Sequence, residues 1–76
     1  MSQDGYILVK EVQAGHYSVN HMDASCNESR EFIGIFTNLK DAMDAANTFE
    51  EKEGAEGYPI EYGIEYRPLS RESTEI

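Results

Sequence analysis

Three side chains of this 76-residue chain could bind a transition metal or act as a nucleophile: His16, His21 and Cys26. Their spacing matches no zinc-binding pattern, and Cys26 has no second cysteine near it. Positions five residues apart on a strand point to opposite faces of a sheet, so the two histidines do not converge. No motif around Cys26 supplies the adjacent base that a nucleophile needs. We therefore expect no metal ion, no cofactor and no catalytic thiol.

Carboxylates are the other reactive groups, and there are 15 of them against 6 lysines and arginines. Catalytic carboxylates need unlike environments that push their pKa values apart, whereas we expect these carboxylates to be uniformly exposed to solvent. Gly54 and Gly57 flank Glu56, which would repel a phosphate group rather than hold it. The sequence thus predicts that the protein is not an enzyme.

The formal net charge of −9 also excludes classes of partner. Binding to free DNA or RNA, or to an anionic membrane, relies on Lys and Arg, so we expect neither. No apolar run approaches the roughly 18 residues of a spanning helix, and the first residues lack a secretory pattern. A single cysteine forms no internal disulfide, which is typical of a reducing compartment. We expect a cytoplasmic protein.

The length allows one small domain, residues 1–76, with an ordered core at about 5–69 and a short C-terminal tail at 70–76. A run rich in β-branched and aromatic residues predicts a strand at 6–12, and apolar alternation predicts a second strand at 16–22, joined to the first by a turn at Gly15. A polar loop is expected at 23–30, and a third strand follows it at 31–36.

A helix is expected after Asn38, which can cap it, with Asp41 in its first turn. Its apolar stripe recurs at helical spacing: Leu39, Ala42, Met43, Ala46 and Phe49. Gly54 is expected to end the helix. A last strand is predicted at 60–66, where Ile60, Tyr62, Ile64 and Tyr66 alternate with polar residues and face the helix. The fold class is α+β, in the order β-β-β-α-β, with one helix packed on one face of an antiparallel sheet.

One helix covers only one face of this sheet, yet the first and third strands are apolar on both faces. The outward set is either Ile7, Val9, Ile33 and Ile35, or Tyr6, Leu8, Phe32 and Phe36. An outward apolar face indicates a protein–protein contact or self-association. Coverage of that face by loops and by the C-terminal tail is the alternative.

Acidic residues crowd the end of the predicted helix. Glu50, Glu51, Glu53 and Glu56 oppose the helix dipole there, which costs about 0.3–1 kcal/mol for each exposed residue, and Lys52 is the only nearby base. Such a run is either a solvated face that promotes solubility or an interaction surface that breaks a local rule for the sake of function.

The span 17–66 resembles a small module in which a hairpin leads to a helix and a return strand. Residues 34–38 (GIFTN), followed by 39–42 (LKDA) and the alanines at 45–46, resemble the strand-to-helix junction of sheet-reading DNA-binding domains. These include the plant ethylene-response type and the arm-binding domains of phage integrases. Such domains read DNA through Arg and Lys on the open sheet face, where this chain has Ser18, Asn20, Glu31, Glu61 and Glu65.

The size, acidity and element order are also similar to small acidic phage-encoded proteins that disable host machinery, such as inhibitors of host RNA polymerase or of CRISPR effectors. This resemblance implies action in the host cytoplasm through a surface that mimics nucleic acid. Complementary charge would steer such a protein to its partner, and buried apolar and tyrosine contacts would supply the affinity.

We therefore predict a small acidic binding module that docks on a basic, nucleic-acid-handling protein and blocks or modulates it. The expected partner-binding residues are Asp44, Glu50, Glu51, Glu53, Glu56, Glu61 and Glu65. The alternative is a structural or accessory homo-oligomer, at its simplest a homodimer, which associates through the apolar sheet face and carries its acidic residues for solubility.

Overall fold

The computed structural model describes residues 4–69. The elements are β1 (Gly5–Gln13), β2 (His16–Asp23), β3 (Glu28–Phe36), α1 (Leu39–Ala55) and β4 (Ile64–Arg67). This order and the α+β class confirm the prediction made from apolar periodicity. The tail predicted at 70–76 lies outside the described residues.

The four strands form one sheet in the order β3-β2-β1-β4. β1 pairs antiparallel with β2, and β2 pairs antiparallel with β3, whereas β4 pairs parallel with β1. The sheet is therefore mostly, and not entirely, antiparallel. Because β3 and β4 occupy opposite edges and run in the same direction, the chain must cross the sheet between them, and α1 makes that crossing over one face.

The core lies between α1 and the face of the sheet that it crosses. Ile7, Val9 and Val19 are fully buried from the strand side. Ala42 and Ala46 are fully buried from the helix side, where their small side chains let the helix lie close to the sheet. Partly buried residues around this cluster are Tyr17, Ile33, Phe36, Leu39, Met43, Phe49 and Ile64.

A β-bulge in β3 decides which side chains face outward. Val19 pairs with Gly34 and the next residue of β2 pairs with Phe32, so Ile33 is an extra residue in the ladder. The alternation therefore shifts by one position, and Ile33 and Phe36 both pack against the core. The outward set consists of Tyr6, Leu8, Phe32 and Ile35. The second predicted alternative was therefore right except for Phe36, and the first was wrong except for Ile35.

The predicted last strand at 60–66 is wrong in its first half, because β4 begins at Ile64. Gly63 has a φ of +72°, which breaks the extended conformation just before the strand. Ile60 is buried and Ile64 packs against the core, as expected. Tyr62 and Tyr66, in contrast, are exposed rather than packed against the helix.

β3 begins at Glu28, inside the loop predicted at 23–30. At the other end of this strand, Asn38 caps α1 as predicted: its side chain accepts a hydrogen bond from the Asp41 backbone N–H at 2.8 Å. Satisfying that N–H fixes the start of the helix at Leu39.

The helix does not end at Gly54, as the sequence suggested, but continues to Ala55. Gly57, with a φ of +95°, supplies the left-handed residue that the chain needs to leave the helix. The Gly57 N–H donates to the Gly54 carbonyl at 3.1 Å, and the Tyr58 N–H donates to the Glu53 carbonyl at 2.9 Å. These two bonds form a Schellman motif, which satisfies the last helix carbonyls three residues later than expected.

Candidate functional site

The topology brings five chain segments to one end of the molecule. The starts of β1, β3 and β4 lie there, together with the ends of β2 and α1. Phe49 near the helix end contacts the His21 ring, with 5.3 Å between ring centroids, and the Tyr62 N–H donates to the Gly5 carbonyl at 3.0 Å. We refer to the carboxylates in these segments as the acidic end: Asp4, Asp23, Glu28, Glu31, Glu50, Glu51, Glu53, Glu56 and Glu61.

Only two bases, Arg30 and Lys52, accompany these nine carboxylates, whereas the rest of the described chain is nearly balanced. The remaining bases in 4–69 are Lys10, Lys40 and Arg67, and the remaining acids are Glu11, Asp41, Asp44 and Glu65. The acidic residues are spread along the sequence. It is the fold that separates the charge, because the start of β1 and the β2–β3 and α1–β4 connections all lie at this end.

The structure brings together five of the seven predicted binding residues and separates two. Glu50, Glu51, Glu53 and Glu56 lie at the end of α1, and Glu61 lies in the segment between α1 and β4. Asp44 belongs to the first half of the helix, where Lys40 Nζ donates to its carboxylate at 3.0 Å. Glu65 lies on the sheet face away from the helix and pairs with Arg67.

Sequence reasoning missed four members of the acidic end: Asp4, Asp23, Glu28 and Glu31. The available signal was the predicted hairpin, because an antiparallel pair places the start of one strand beside the end of the next. The register pairs Gly5 with Asp23, and Asp23 with Glu28. These residues therefore extend the acidic surface from the helix end onto the sheet.

Asp23 is held in place by several hydrogen bonds. It accepts hydrogen bonds from the Ser25 hydroxyl at 2.6 Å and from the Ser25 N–H at 2.9 Å, and Arg30 lies 3.2 Å away. These bonds, led by that of the hydroxyl, lower the pKa of Asp23 below its ordinary value. Asp23 thus keeps its charge and holds the turn between β2 and β3.

His21 is buried beneath this charged surface. It is only 4% exposed, and its Nε2 has no hydrogen-bond partner among residues 4–69. Burial is the main cause that lowers the His21 pKa below 6.5, and the nearby Arg30 lowers it further. Glu53, Glu31 and Asp23 oppose this shift. His21 is therefore neutral at pH 7, because protonation would place a charge in a buried position.

We expect the protein to lose stability as the pH falls below about 6.5, the ordinary value of a histidine. The pKa is lower in the folded state, so the unfolded chain binds the proton first and becomes favoured as the pH drops. Urea unfolding at several pH values between about 7.5 and 5 measures this slope. The slope should be smaller in His21→Leu and unchanged in His16→Leu, which removes an exposed histidine. Equal slopes in wild type and His21→Leu would contradict the assignment.

Within the described residues, other kinds of site would be a metal centre, the free cysteine, a groove or a membrane-spanning helix. No group of three or more His, Cys, Asp or Glu side chains within 4–69 is arranged to hold a metal ion, and Cys26 is exposed. A groove of about 420 Å³ lies at the end opposite the acidic residues, and it is lined by Lys10, Glu11, Val12, Arg67, Pro68 and Leu69. None of the helices in this part of the chain is long and apolar enough to cross a membrane.

Comparison with known proteins adds no relative to this picture. The chain matches no protein-family model, no curated protein and no solved structure. The acidic end and the sheet face that the helix leaves open are therefore the features from which a function can be inferred.

Proposed function

We propose that this protein is an acidic binding module whose acidic end docks on the basic surface of a nucleic-acid-handling protein and blocks or modulates it. The single observation that carries the proposal is the polarised charge: nine carboxylates and two bases at one end, against near balance elsewhere in 4–69. A solvated face that served only solubility would not need to be gathered at one end.

The energetics of the acidic end also support a role in binding. Glu50, Glu51 and Glu53 lie in the last turns of α1, where the helix dipole disfavours negative charge. The fold then adds Glu56 and Glu61 to the same end, which raises the repulsion further. In a domain of this size, such an electrostatic cost indicates that the negative charge has a functional role. Attraction to a basic partner is the role that a negative surface can perform.

The proposed surface would act mainly on the rate of encounter. Exposed charge pairs contribute only about 0–1 kcal/mol each, whereas a concentrated field can raise association rates by about 10–10³. Concentrated negative charge attracts the same lysines and arginines that neutralise the phosphates of a nucleic acid. The site that binds nucleic acid on the partner is therefore the expected target, and duplex DNA should compete for it.

Two charge-reversed variants of equal net charge test this proposal. The first carries Glu50→Lys and Glu51→Lys at the acidic end. The control carries Glu11→Lys and Asp44→Lys outside it. Each reversal adds two charges, so both variants change the formal net charge from −9 to −5. Any effect of total charge is therefore the same in both, and only the position differs.

The measurement is the association rate constant with a nucleic-acid-handling protein that immobilised wild type captures from a bacterial lysate. We expect the acidic-end variant to associate at least about tenfold more slowly, with a flatter salt dependence, because steering depends on the local field. The control should lose much less. Equal rates and equal salt slopes in the two variants would contradict docking through the acidic end.

A further inference from the structure

The sheet face that α1 leaves uncovered, which we refer to as the open face, carries side chains in three rows across the strands. The register that sets these rows pairs residues that point to the same side. From β3 to β4 the middle row is Phe32, Asn20, Leu8 and Glu65, and the row beyond it is Ile35, Ser18, Lys10 and Arg67. The row nearest the acidic end is Ser29, Met22 and Tyr6.

Large apolar side chains are exposed on this face. Phe32 is 59% exposed and Ile35 is 52% exposed, both on the edge strand β3. Tyr6, Leu8 and Ser18, further across the same face, are buried. The Tyr6 hydroxyl is held by a 3.0 Å hydrogen bond to Asn27 Oδ1. The exposed apolar side chains of this face therefore lie along β3, and the side chains of the central strands beside them are buried.

The two longer rows are complementary to each other. If a second copy lies against the open face with its strands reversed, the middle row of one copy meets the Ile35 row of the other. Phe32 then faces Ile35, and Glu65 faces Arg67, twice in each pair of copies. A two-fold symmetric dimer requires a surface that is complementary to itself. On this face, both the apolar positions and the charged positions are self-complementary.

The same arrangement places the acidic ends of the two copies far apart. Reversing the strands puts the acidic end of one copy beside the balanced end of the other. The open face itself carries two bases, Lys10 and Arg67, against the single carboxylate of Glu65. It is therefore a surface on which two copies of a chain with net charge −9 meet without opposing carboxylate clusters.

We propose that two copies of this chain form a dimer through their open faces, about a two-fold axis that runs across the strands between the Phe32 and Ile35 rows. The two sheets pack face to face at about 10 Å with their strands reversed and nearly aligned. The contact leaves α1 and the acidic end of each copy outward. The dimer does not depend on the proposed docking function, and it would present two acidic ends at opposite extremes.

Sedimentation equilibrium on the full chain, from micromolar concentrations to about 1 mM, tests the dimer. Glu65→Arg alone brings two guanidinium groups face to face, and Arg67→Glu alone brings two carboxylates face to face. The combined variant, Glu65→Arg with Arg67→Glu, restores both pairs. We expect each single reversal to weaken dimerisation at least about tenfold and the combined variant to recover it.

Phe32→Ser tests the apolar part of the interface and should also weaken the dimer at least about tenfold. The matched control is Tyr58→Ser, because Tyr58 is 53% exposed but follows α1 on the helix layer. Circular dichroism confirms that each variant is folded. A wild type that stays monomeric at about 1 mM would overturn the proposal. So would a combined variant as weak as the single ones, or a Tyr58→Ser variant as weak as Phe32→Ser.

Discussion

Replacing Ile7 with alanine is expected to unfold most of the protein. Ile7 is fully buried in the core, where β1 lies between His21 of β2 and Ile64 of β4. Truncating a buried isoleucine to alanine costs about 2–5 kcal/mol, through lost burial and the cavity left behind. A single core in a domain of this size supplies only about 3–5 kcal/mol. The loss is therefore comparable with the whole stability of the fold.

Urea unfolding followed by circular dichroism measures the effect, at concentrations low enough to keep the chain monomeric. The matched control is Ile35→Ala, the same substitution at a side chain that faces outward from β3. It should change the free energy of unfolding by less than about 0.5 kcal/mol. If Ile35→Ala destabilised the monomer more than Ile7→Ala, the helix would cover the opposite face of the sheet.

Alanine is expected to destabilise the protein at one glycine and to stabilise it at another. A Cβ added at Gly5 would lie 2.6 Å from the backbone carbonyl oxygen of Met22, so β1 and β2 would have to move apart. Such overpacking costs about 1–3 kcal/mol. Gly54 lies inside α1, and apart from its chain neighbours and the adjacent helix backbone an added Cβ there meets no atom of the described residues within 4 Å. Alanine at that position should stabilise the helix by about 0.5–1 kcal/mol, because glycine loses more backbone entropy.

Thermal and urea unfolding of Gly5→Ala and Gly54→Ala should therefore differ by about 1.5–4 kcal/mol in the free energy of unfolding. The Gly54→Ala result also tests where the helix ends. If Gly54 were the left-handed residue after the helix, as the sequence suggested, alanine would strain the backbone and destabilise the protein. A destabilised Gly54→Ala variant would thus indicate that the helix ends before Gly54.

The second glycine shows why helix ends are hard to place from sequence. Gly54 and Gly57 lie three residues apart, and either can follow a helix. The choice depends on which carbonyls are satisfied after the turn, and Tyr58 donates to Glu53 only if the helix includes Ala55. The residue types near the helix end do not by themselves show that this hydrogen bond forms.

The acidic end could be predicted only in part, for a similar reason. The helix run of Glu50, Glu51 and Glu53 is contiguous in the chain, so the sequence already placed these residues together. Asp23 and Glu31 join them because β2 and β3 are paired across the sheet, which is a long-range relation. Glu65 was grouped with them as a carboxylate of the predicted last strand, yet its side of β4 faces away from the helix. Buried His21 was not predicted, because its burial depends on the helix that crosses above it.

By itself, the sequence determined the type and order of the elements and the class of the fold, because apolar periodicity and the Asn38 cap act over a few neighbouring residues. It also determined that the surface would be acidic, since charge follows from composition. Only the tertiary structure decided which side chains face outward and which carboxylates meet. The bulge at Ile33 shifts the alternation of β3 by one residue. Because α1 crosses the sheet, the glutamates at its C-terminal end lie beside the starts of β1 and β3. Both depend on register and packing between segments far apart in the chain, and local patterns carry no information about either.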